Sequence, residues 1–281
     1  MKSLGDILKL ATHYLEKNGV ARPRFSAEEL LAHILKLKKL DLYMQFDLPV
    51  TEEELDSFRA LVKRRITKEP VQYILKEMSF YHCDLEVTSD VLIPRQETEI
   101  FLDKICSSIA SIVKNKIAWD VCTGSGALAI GLKKRFPELS VFASDISREA
   151  LLIAKKNSER NKIDLSFYQG DLLTPFKEQK ADFIICNPPY ISEAEYLTLE
   201  PEVRDFEPRQ ALVGGVTGIE FYERLSAELP SYLNPKGRVF LEIGKEQGNI
   251  LFSLFKGSFW KVRRLEKDWA GHDRFFFLEC E

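Results

Sequence analysis

The spacing of apolar positions changes along the chain, and each change marks a different kind of element. Up to Pro70 they recur at three- and four-residue intervals. Leu4, Ile7, Leu8, Ala11 and Leu15 make one stripe, and Gly19 offers a stop. Ser26 with Glu29 predicts a capping box opening a second helix through Leu30, Leu31, Ile34 and Leu35. Thr51 with Glu54 predicts the same for a third, with Leu55, Phe58, Leu61, Val62 and Ile66 on one face and Pro70 at its end. Short amphipathic helices must bury their stripes against one another, so residues 1–70 read as a small N-terminal helical bundle domain. Residues 71–90 alternate weakly, with Phe80 and Tyr81, then Leu85 and Val87, and read as a linker hairpin.

From residue 91 to 281 short apolar runs alternate with helical stretches. Strands are predicted at 117–121, 140–144, 165–168, 182–186 and 238–243, with a closing pair at 259–266 and 274–280. Helices are predicted at 127–136, 147–160 and 221–233. Strands alternating with helices in this way make an α/β sheet of Rossmann-like type. Residues 191–218 are polar and contain Pro and Gly, which predicts a long irregular loop serving as a lid or substrate clamp.

Composition narrows the picture modestly. The 281 residues carry a formal net charge of −3, so no global basic field advertises nucleic-acid binding. Lys36-Lys38-Lys39 and Lys63-Arg64-Arg65 can touch a phosphate backbone or simply face solvent. The five cysteines form no CxxC pair and read as free buried thiols in a reducing compartment. The four histidines show no metal-ligand spacing. No signal-peptide core and no membrane-length apolar run is present, so a cytoplasmic location is expected.

Candidate chemistry collects at the predicted strand ends. Ile117–Val121 runs into Cys122-Thr123-Gly124-Ser125-Gly126 and then a helix. Glycines there let backbone approach a ligand, and the helix start offers free N–H groups. There is no GxGxxG for a pyrophosphate and no GK[ST] for a triphosphate. Asp120, at the tip of that strand, can face a cationic or amino-bearing ligand. Asp145, ending the next strand, can accept both ribose hydroxyls, or cap the helix that follows. Asp171 can accept an adenine amino group while Leu172 packs on the ring.

The fourth run, Asp182-Phe183-Ile184-Ile185-Cys186, ends in Asn187-Pro188-Pro189-Tyr190. The prolines fix φ and donate no N–H, leaving a rigid corner rich in acceptors beside an aromatic ring. Such a corner suits a planar amide or amino group. Ribose and adenine contacts without a triphosphate loop, next to this corner, fit S-adenosylmethionine. Leu92-Ile93-Pro94-Arg95 precedes a predicted helix start and either lines the site or caps that helix.

Several separated segments together resemble one family, the release factor glutamine N5-methyltransferases (the PrmC/HemK family). They are Pro70-Val71-Gln72-Tyr73-Ile74-Leu75, Leu92-Ile93-Pro94-Arg95-Gln96-Glu97-Thr98-Glu99, Thr123-Gly124-Ser125-Gly126, Asn187-Pro188-Pro189-Tyr190 and Glu207-Pro208-Arg209-Gln210-Ala211-Leu212. The resemblance covers essentially the whole chain. It implies a Rossmann-like class I methyltransferase with a seven-stranded mixed sheet, its last strand inserted antiparallel, behind a helical substrate-recognition domain. The chain departs from the family pattern at Cys122, where Gly is usual, at Gln96, where Pro is frequent, and at Leu172, where an aromatic residue is common.

The resemblance also implies roles. Cys122, Thr123, Gly124, Ser125, Gly126, Asp145, Asp171, Leu172 and Asn187 would hold S-adenosyl-L-methionine. Asn187, Pro188, Pro189 and Tyr190 would hold the substrate, the glutamine of the Gly-Gly-Gln loop of class I peptide chain release factors. Asn187 Oδ1 and the Pro188 carbonyl would accept the two amide N–H bonds, and Tyr190 would stack on the amide plane. No stable nucleic acid, no membrane and no metal is expected. Two rivals share parts of this pattern. An adenine N6-methyltransferase would use the same corner for a flipped base. A non-catalytic ribosome-binding protein could keep the Rossmann-like shell alone. Glu207-Pro208-Arg209 either positions substrate or braces the loop.

Overall fold

The structure is a computed structural model that describes residues 3–281. Two compact units form. One comprises the chain up to Glu77 together with Glu200–Phe206; the other comprises Met78–Leu199 and Glu207–Glu281.

The first unit packs α1 (Leu4–Lys17), α2 (Pro23–Leu35), α3 (Lys39–Met44), α4 (Glu52–Ile66) and α5 (Val71–Leu75). Its core joins the α1 stripe to Leu30, Leu31, Phe58 and Val62. Thr51 caps α4 as expected, its side chain accepting the Glu54 N–H while Glu54 accepts the Thr51 N–H. The expected cap at Ser26 is not formed. Helix α2 begins a turn earlier because Pro23 sits at its first position, where a missing N–H costs nothing. Ser26 is buried instead and accepts a hydrogen bond from Arg65 Nε at 3.1 Å. The same arginine donates to the Glu69 carbonyl and to Glu202. Arg64 pairs with Glu69, and Lys39 with Glu29. Part of the two basic clusters is therefore consumed inside the unit. The hydrogen bonds of Arg65 also draw Glu202, distant in sequence, into this unit.

The second unit opens at Met78, within a hairpin of β1 (Glu77–Phe80) and β2 (Cys83–Glu86). It buries Phe80, Cys83 and Leu85 in the core of the unit. The hairpin is followed by α6 (Gln96–Ile109), β3 (Ile117–Val121), α7 (Ala127–Arg135), β4 (Ser140–Asp145), α8 (Arg148–Arg160), β5 (Ser166–Gln169) and β6 (Ala181–Cys186). Residues 191–218 are more ordered than their composition predicted. They contain β7 (Ile191–Ser192), α9 (Glu193–Tyr196), α10 (Pro201–Arg204), α11 (Arg209–Leu212) and β8 (Val213–Gly215). The chain ends with α12 (Glu220–Tyr232), β9 (Leu233–Glu242), α13 (Gly248–Leu254), β10 (Trp260–Lys267) and β11 (Asp273–Cys280). Asn234-Pro235-Lys236-Gly237, turn-prone by composition, lies inside β9, at an irregularity in its register with β6.

Seven strands form one sheet in the order β10-β11-β9-β6-β3-β4-β5. Strand β11 runs antiparallel to both neighbours, and the pairs among β9, β6, β3, β4 and β5 are parallel. Both faces are covered. One carries Phe183, Ile185, Phe240 and Phe275 under α6 and α7; the other carries Trp119, Ile184, Val239 and Phe276 under α12 and α13. Burial on both faces explains why β6 reads as an unbroken apolar run. A fully buried Leu or Phe stabilises by roughly 1.5–3 kcal/mol, so these faces dominate the stability of the unit. The sheet order reverses between β3 and β6, and ligands in such sheets sit at the carboxyl ends beside that reversal. Cys122 and Asn187 are the residues that follow those two strand ends.

Candidate active site

A cavity of about 280 Å³ opens at the carboxyl ends of β3, β4, β5 and β6. Its floor is the loop after β3, which is shaped by backbone bonds. The Thr123 N–H donates to the Ser144 carbonyl and the Gly126 N–H to the Thr123 carbonyl, both at 2.9 Å. Cys122, Gly124 and Gly126 all take left-handed conformations, with φ of 61°, 55° and 82°. Gly124 and Gly126 adopt this freely. Cys122, where the resembled family usually has glycine, pays about 1–2 kcal/mol in steric strain. A Cβ on Gly126 would stand 3.2 Å from the Ala154 Cβ, so this glycine serves helix packing and does not line the cavity. Cys122, Thr123, Gly124 and Ser125 do line it.

Asp120 does not face the cavity, contrary to the reading of its position at a strand tip. It is 1 % exposed, and its Oδ2 accepts the Thr123 hydroxyl at 2.5 Å and the Ala129 N–H at 3.0 Å. Its Oδ1 is buried without a partner. Burial pushes the carboxyl up to about 7, against the lowering effect of those two bonds. The pleat points this side chain under the loop, where it ties the loop to the first turn of α7. It has no access to a ligand.

Asp145 lines the cavity. Its Oδ2 accepts the Gly124 N–H at 2.8 Å and its Oδ1 accepts the Ser147 N–H at 2.9 Å. The cap of α8 is Ser147, whose hydroxyl accepts the Ala150 N–H. Burial raises the Asp145 pKa, and the backbone bonds oppose that rise. Each carboxylate oxygen has a second lone pair, so a fixed, two-pronged acceptor still faces the cavity. Asp171 and Leu172 line the wall beyond. Asp171 Oδ2 accepts a hydrogen bond from Arg224 at 2.8 Å, which leaves Oδ1 for a ligand. Phe221 and Arg224, on α12, complete this wall. Neither was singled out from the sequence, which predicted only a helix over 221–233.

The corner after β6 forms the far end. Asn187 and Pro189 line the cavity; Pro188 and Tyr190 do not. Tyr190 is half-buried against the α12 face of the sheet, and burial raises its pKa. Three residues missed in the sequence hold this corner. The Gln247 side chain donates to the Tyr190 carbonyl at 2.9 Å and to the Gly218 carbonyl at 3.1 Å. A Cβ on Gly214 would lie 2.4 Å from the Pro189 carbonyl oxygen, and one on Gly218 2.5 Å from that of Tyr190. Only glycine permits the loop to pass this close.

Val91, Leu92 and Pro94 also line the cavity, together with Pro208, Gln210 and Ala211. Glu207 links these two segments. It is buried, and its carboxylate accepts the Ile93 N–H at 3.1 Å and a guanidinium N–H of Arg95. Glu207 therefore braces the loop. Arg209 is exposed and pairs with Glu193.

The arrangement combines a backbone-lined loop, a two-pronged carboxylate, an apolar wall and an amide-bearing corner in one cavity. Comparison with known proteins gives that combination a family. Residues 6–75 match the PrmC N-terminal domain, and residues 96–200 match the methyltransferase small domain. A release factor glutamine methyltransferase of Chlamydia trachomatis serovar D is 39 % identical over 97 % of this chain and 93 % of its own. One from Nitratidesulfovibrio vulgaris is 40 % identical over 98 % and 94 %. A methyltransferase of Pyrococcus furiosus shares the fold, with a TM-score of 0.53 and 20 % identity over 77 % of this chain and 96 % of that one. The near-complete coverage at this identity extends across both units, and on it the chain belongs to the release factor glutamine methyltransferase family.

Proposed function

We infer that the chain transfers a methyl group from S-adenosylmethionine to the side-chain amide nitrogen of the glutamine in the Gly-Gly-Gln motif of class I peptide chain release factors. The observation that carries this is the near-full-length identity to relatives named for that reaction, joined to a cavity that ends in Asn187. The substrate is a protein and not a nucleic acid, and the expected location is the cytoplasm. No described helix is long and apolar enough to cross a membrane. The helical unit is assigned to docking of the release factor.

The cavity fits the cofactor by the chemistry of its donors and acceptors. The loop from Cys122 to Ser125 offers backbone at close range, with open space around Gly124. Asp145 keeps two lone pairs for vicinal hydroxyls. Asp171 keeps one oxygen for an amino group, with Leu172 and Phe221 as apolar packing for a ring. Bound there, S-adenosylmethionine supplies an electrophilic methyl on a sulfonium.

The protein's own residues supply orientation. An amide nitrogen is a poor nucleophile because its lone pair is delocalised into the carbonyl. Asn187 Oδ1 and the Pro188 carbonyl accept the two N–H bonds of the substrate amide, which fixes the nitrogen and stabilises charge developing on it; as the nitrogen gains the methyl it gives up one of these two protons to water or another acceptor. Tyr190 stacks on the amide plane. In this assignment the substrate amide reaches past the cavity lining to the Pro188 carbonyl, and the Tyr190 ring turns from its place against the sheet toward the substrate. Pro188 and Pro189 keep the acceptors rigid, because neither can rotate φ.

Labelled methyl transfer tests the reading. The purified chain, given S-adenosylmethionine, should label a class I release factor and leave single-stranded and duplex DNA and RNA unlabelled. Label on nucleic acid alone would establish the adenine N6 alternative. No label on any acceptor, together with no cofactor binding by calorimetry, would leave the non-catalytic alternative standing.

A further inference from the structure

A buried carboxylate stands behind the corner, and the roles assigned above do not use it. Strands β6 and β9 pair in parallel with Ile185 opposite Phe240 and Cys186 opposite Leu241. One residue further on, Asn187 comes beside Glu242. Side chains alternate across a strand, so both project to the side that carries Ile185 and Phe240, the face covered by α6. Glu242 is 2 % exposed. The Tyr222 hydroxyl donates to its main-chain carbonyl at 2.8 Å, which fixes the strand end.

The surroundings of this carboxylate come from four elements. Thr98, in the first turn of α6, and Asn187 are polar neighbours whose donors lower its pKa. Arg274 on β11 attracts it and Glu97 on α6 repels it. Tyr190 and Tyr222 are the nearby phenols. Glu242 Oε2 and the Thr98 hydroxyl are both buried without a closed hydrogen bond. A small side-chain rotation of Thr98 or Asn187 would satisfy them, and the cost of an orphaned buried oxygen favours that rotation.

An asparagine amide has a donating end and an accepting end. A corner that must accept N–H bonds works only when Oδ1 faces the substrate. An ionised carboxylate can only accept. Set behind Asn187, it takes the Nδ2 protons and turns Oδ1 outward. We propose that Glu242, supported by Thr98, is a positioning residue that fixes the orientation of the Asn187 amide for methyl transfer. This rests on the methyl-transfer reading above and adds to it a residue that never touches the substrate.

Ionisation of Glu242 then matters. Burial is the main cause that pushes its carboxyl up to about 7. Once protonated, it carries an O–H that can donate to Asn187 Oδ1 and turn the amide the wrong way. The transfer rate at saturating cofactor should therefore rise with pH through about 7. Titration of Asp120, which shapes the cofactor loop, would appear in cofactor affinity and not in this rate.

The experiment compares the full-length wild type with Glu242→Leu and Glu242→Gln. It measures kcat on a release factor across pH, cofactor affinity by calorimetry, and folding by circular dichroism. With orientation lost, Glu242→Leu should lower kcat by at least about tenfold while cofactor affinity stays within about twofold. In Glu242→Gln the side chain is neutral and, like the protonated carboxyl, carries a donor that can turn Asn187 the wrong way. That variant should stay near the low-pH rate of the wild type at every pH and lose the pH step. If the leucine variant does not fold, the glutamine pH profile decides alone. Wild-type kcat in a folded leucine variant, or a retained pH step in the glutamine variant, would overturn the proposal. Variants that behave like an active wild type refute the positioning role alone; a wild type that transfers no methyl refutes the methyl-transfer reading with it.

Discussion

Asp120→Asn removes a charge that the second unit buries with incomplete compensation. The carboxyl is raised from 3.8 to about 7 by burial. A raised carboxyl means that the folded state prefers the protonated form. The contribution of this residue to stability is therefore greatest at low pH and is lost as pH climbs from the unfolded value toward 7. At about 1.36 kcal/mol per pKa unit, ionised Asp120 costs about 4 kcal/mol above pH 7. Between about pH 5 and pH 8 the loss attributable to this residue is about 2–3 kcal/mol. Asparagine keeps an oxygen for the Thr123 hydroxyl and the Ala129 N–H. Its amide N–H₂ falls where Oδ1 has no partner, a penalty of about 1–3 kcal/mol that does not depend on pH. Comparing the two pH values cancels that penalty, and it cancels the similar titration of Glu242, which is present in both proteins.

Urea unfolding of wild type and variant at both pH values measures the difference, provided the slope with denaturant is unchanged. The variant should gain about 2–3 kcal/mol relative to wild type on passing from pH 5 to pH 8. A difference that is the same at both pH values would mean that the carboxyl titrates normally and that the loop is not tied down by a desolvated acid.

Other outcomes follow from the same geometry. Asn187→Ala should lower the methyl-transfer rate by roughly 10²-fold or more while cofactor binding measured by calorimetry largely survives. Cys122→Gly should be tolerated, with cofactor affinity little changed. Cys122→Val, a branched side chain at φ 61°, should lose about 2 kcal/mol or more in urea unfolding. Gly214→Ala places a Cβ against the Pro189 carbonyl and should shift the corner, reducing kcat by about tenfold or more in steady-state assays.

Much of this architecture was legible in the chain. The strand runs were apolar because both sheet faces are covered, so β3, β4 and β6 stood out, and with them the loop from Cys122 to Gly126, Asp145 and Asn187. Other features depend on geometry that a single strand or helix does not reveal. Whether Asp120 faces a ligand or hides beneath the loop is decided by the pleat at one strand tip. Glu242 matters only because β9 lies in register beside β6, a pairing between distant segments. Phe221 and Arg224 reach the cavity through the docking of α12. Gly214 and Gly218 are needed because two backbones pass at close range, which no periodicity encodes. Ser26 was misread although Pro23 was visible, because a capping-box pattern and a first-turn proline competed for one helix start, and the proline prevailed.

In the function proposed above, the corner at Asn187 presents a glutamine amide nitrogen to a methyl donor. Peptide mass mapping of a class I release factor after incubation with the chain and S-adenosylmethionine tests this most directly. One added methyl is expected on the side chain of the glutamine in the Gly-Gly-Gln peptide, with roughly a hundredth as much or less at the same time point when Asn187→Ala replaces wild type. Methyl on another residue, or an unmodified Gly-Gly-Gln peptide from an active preparation that binds cofactor, would contradict it.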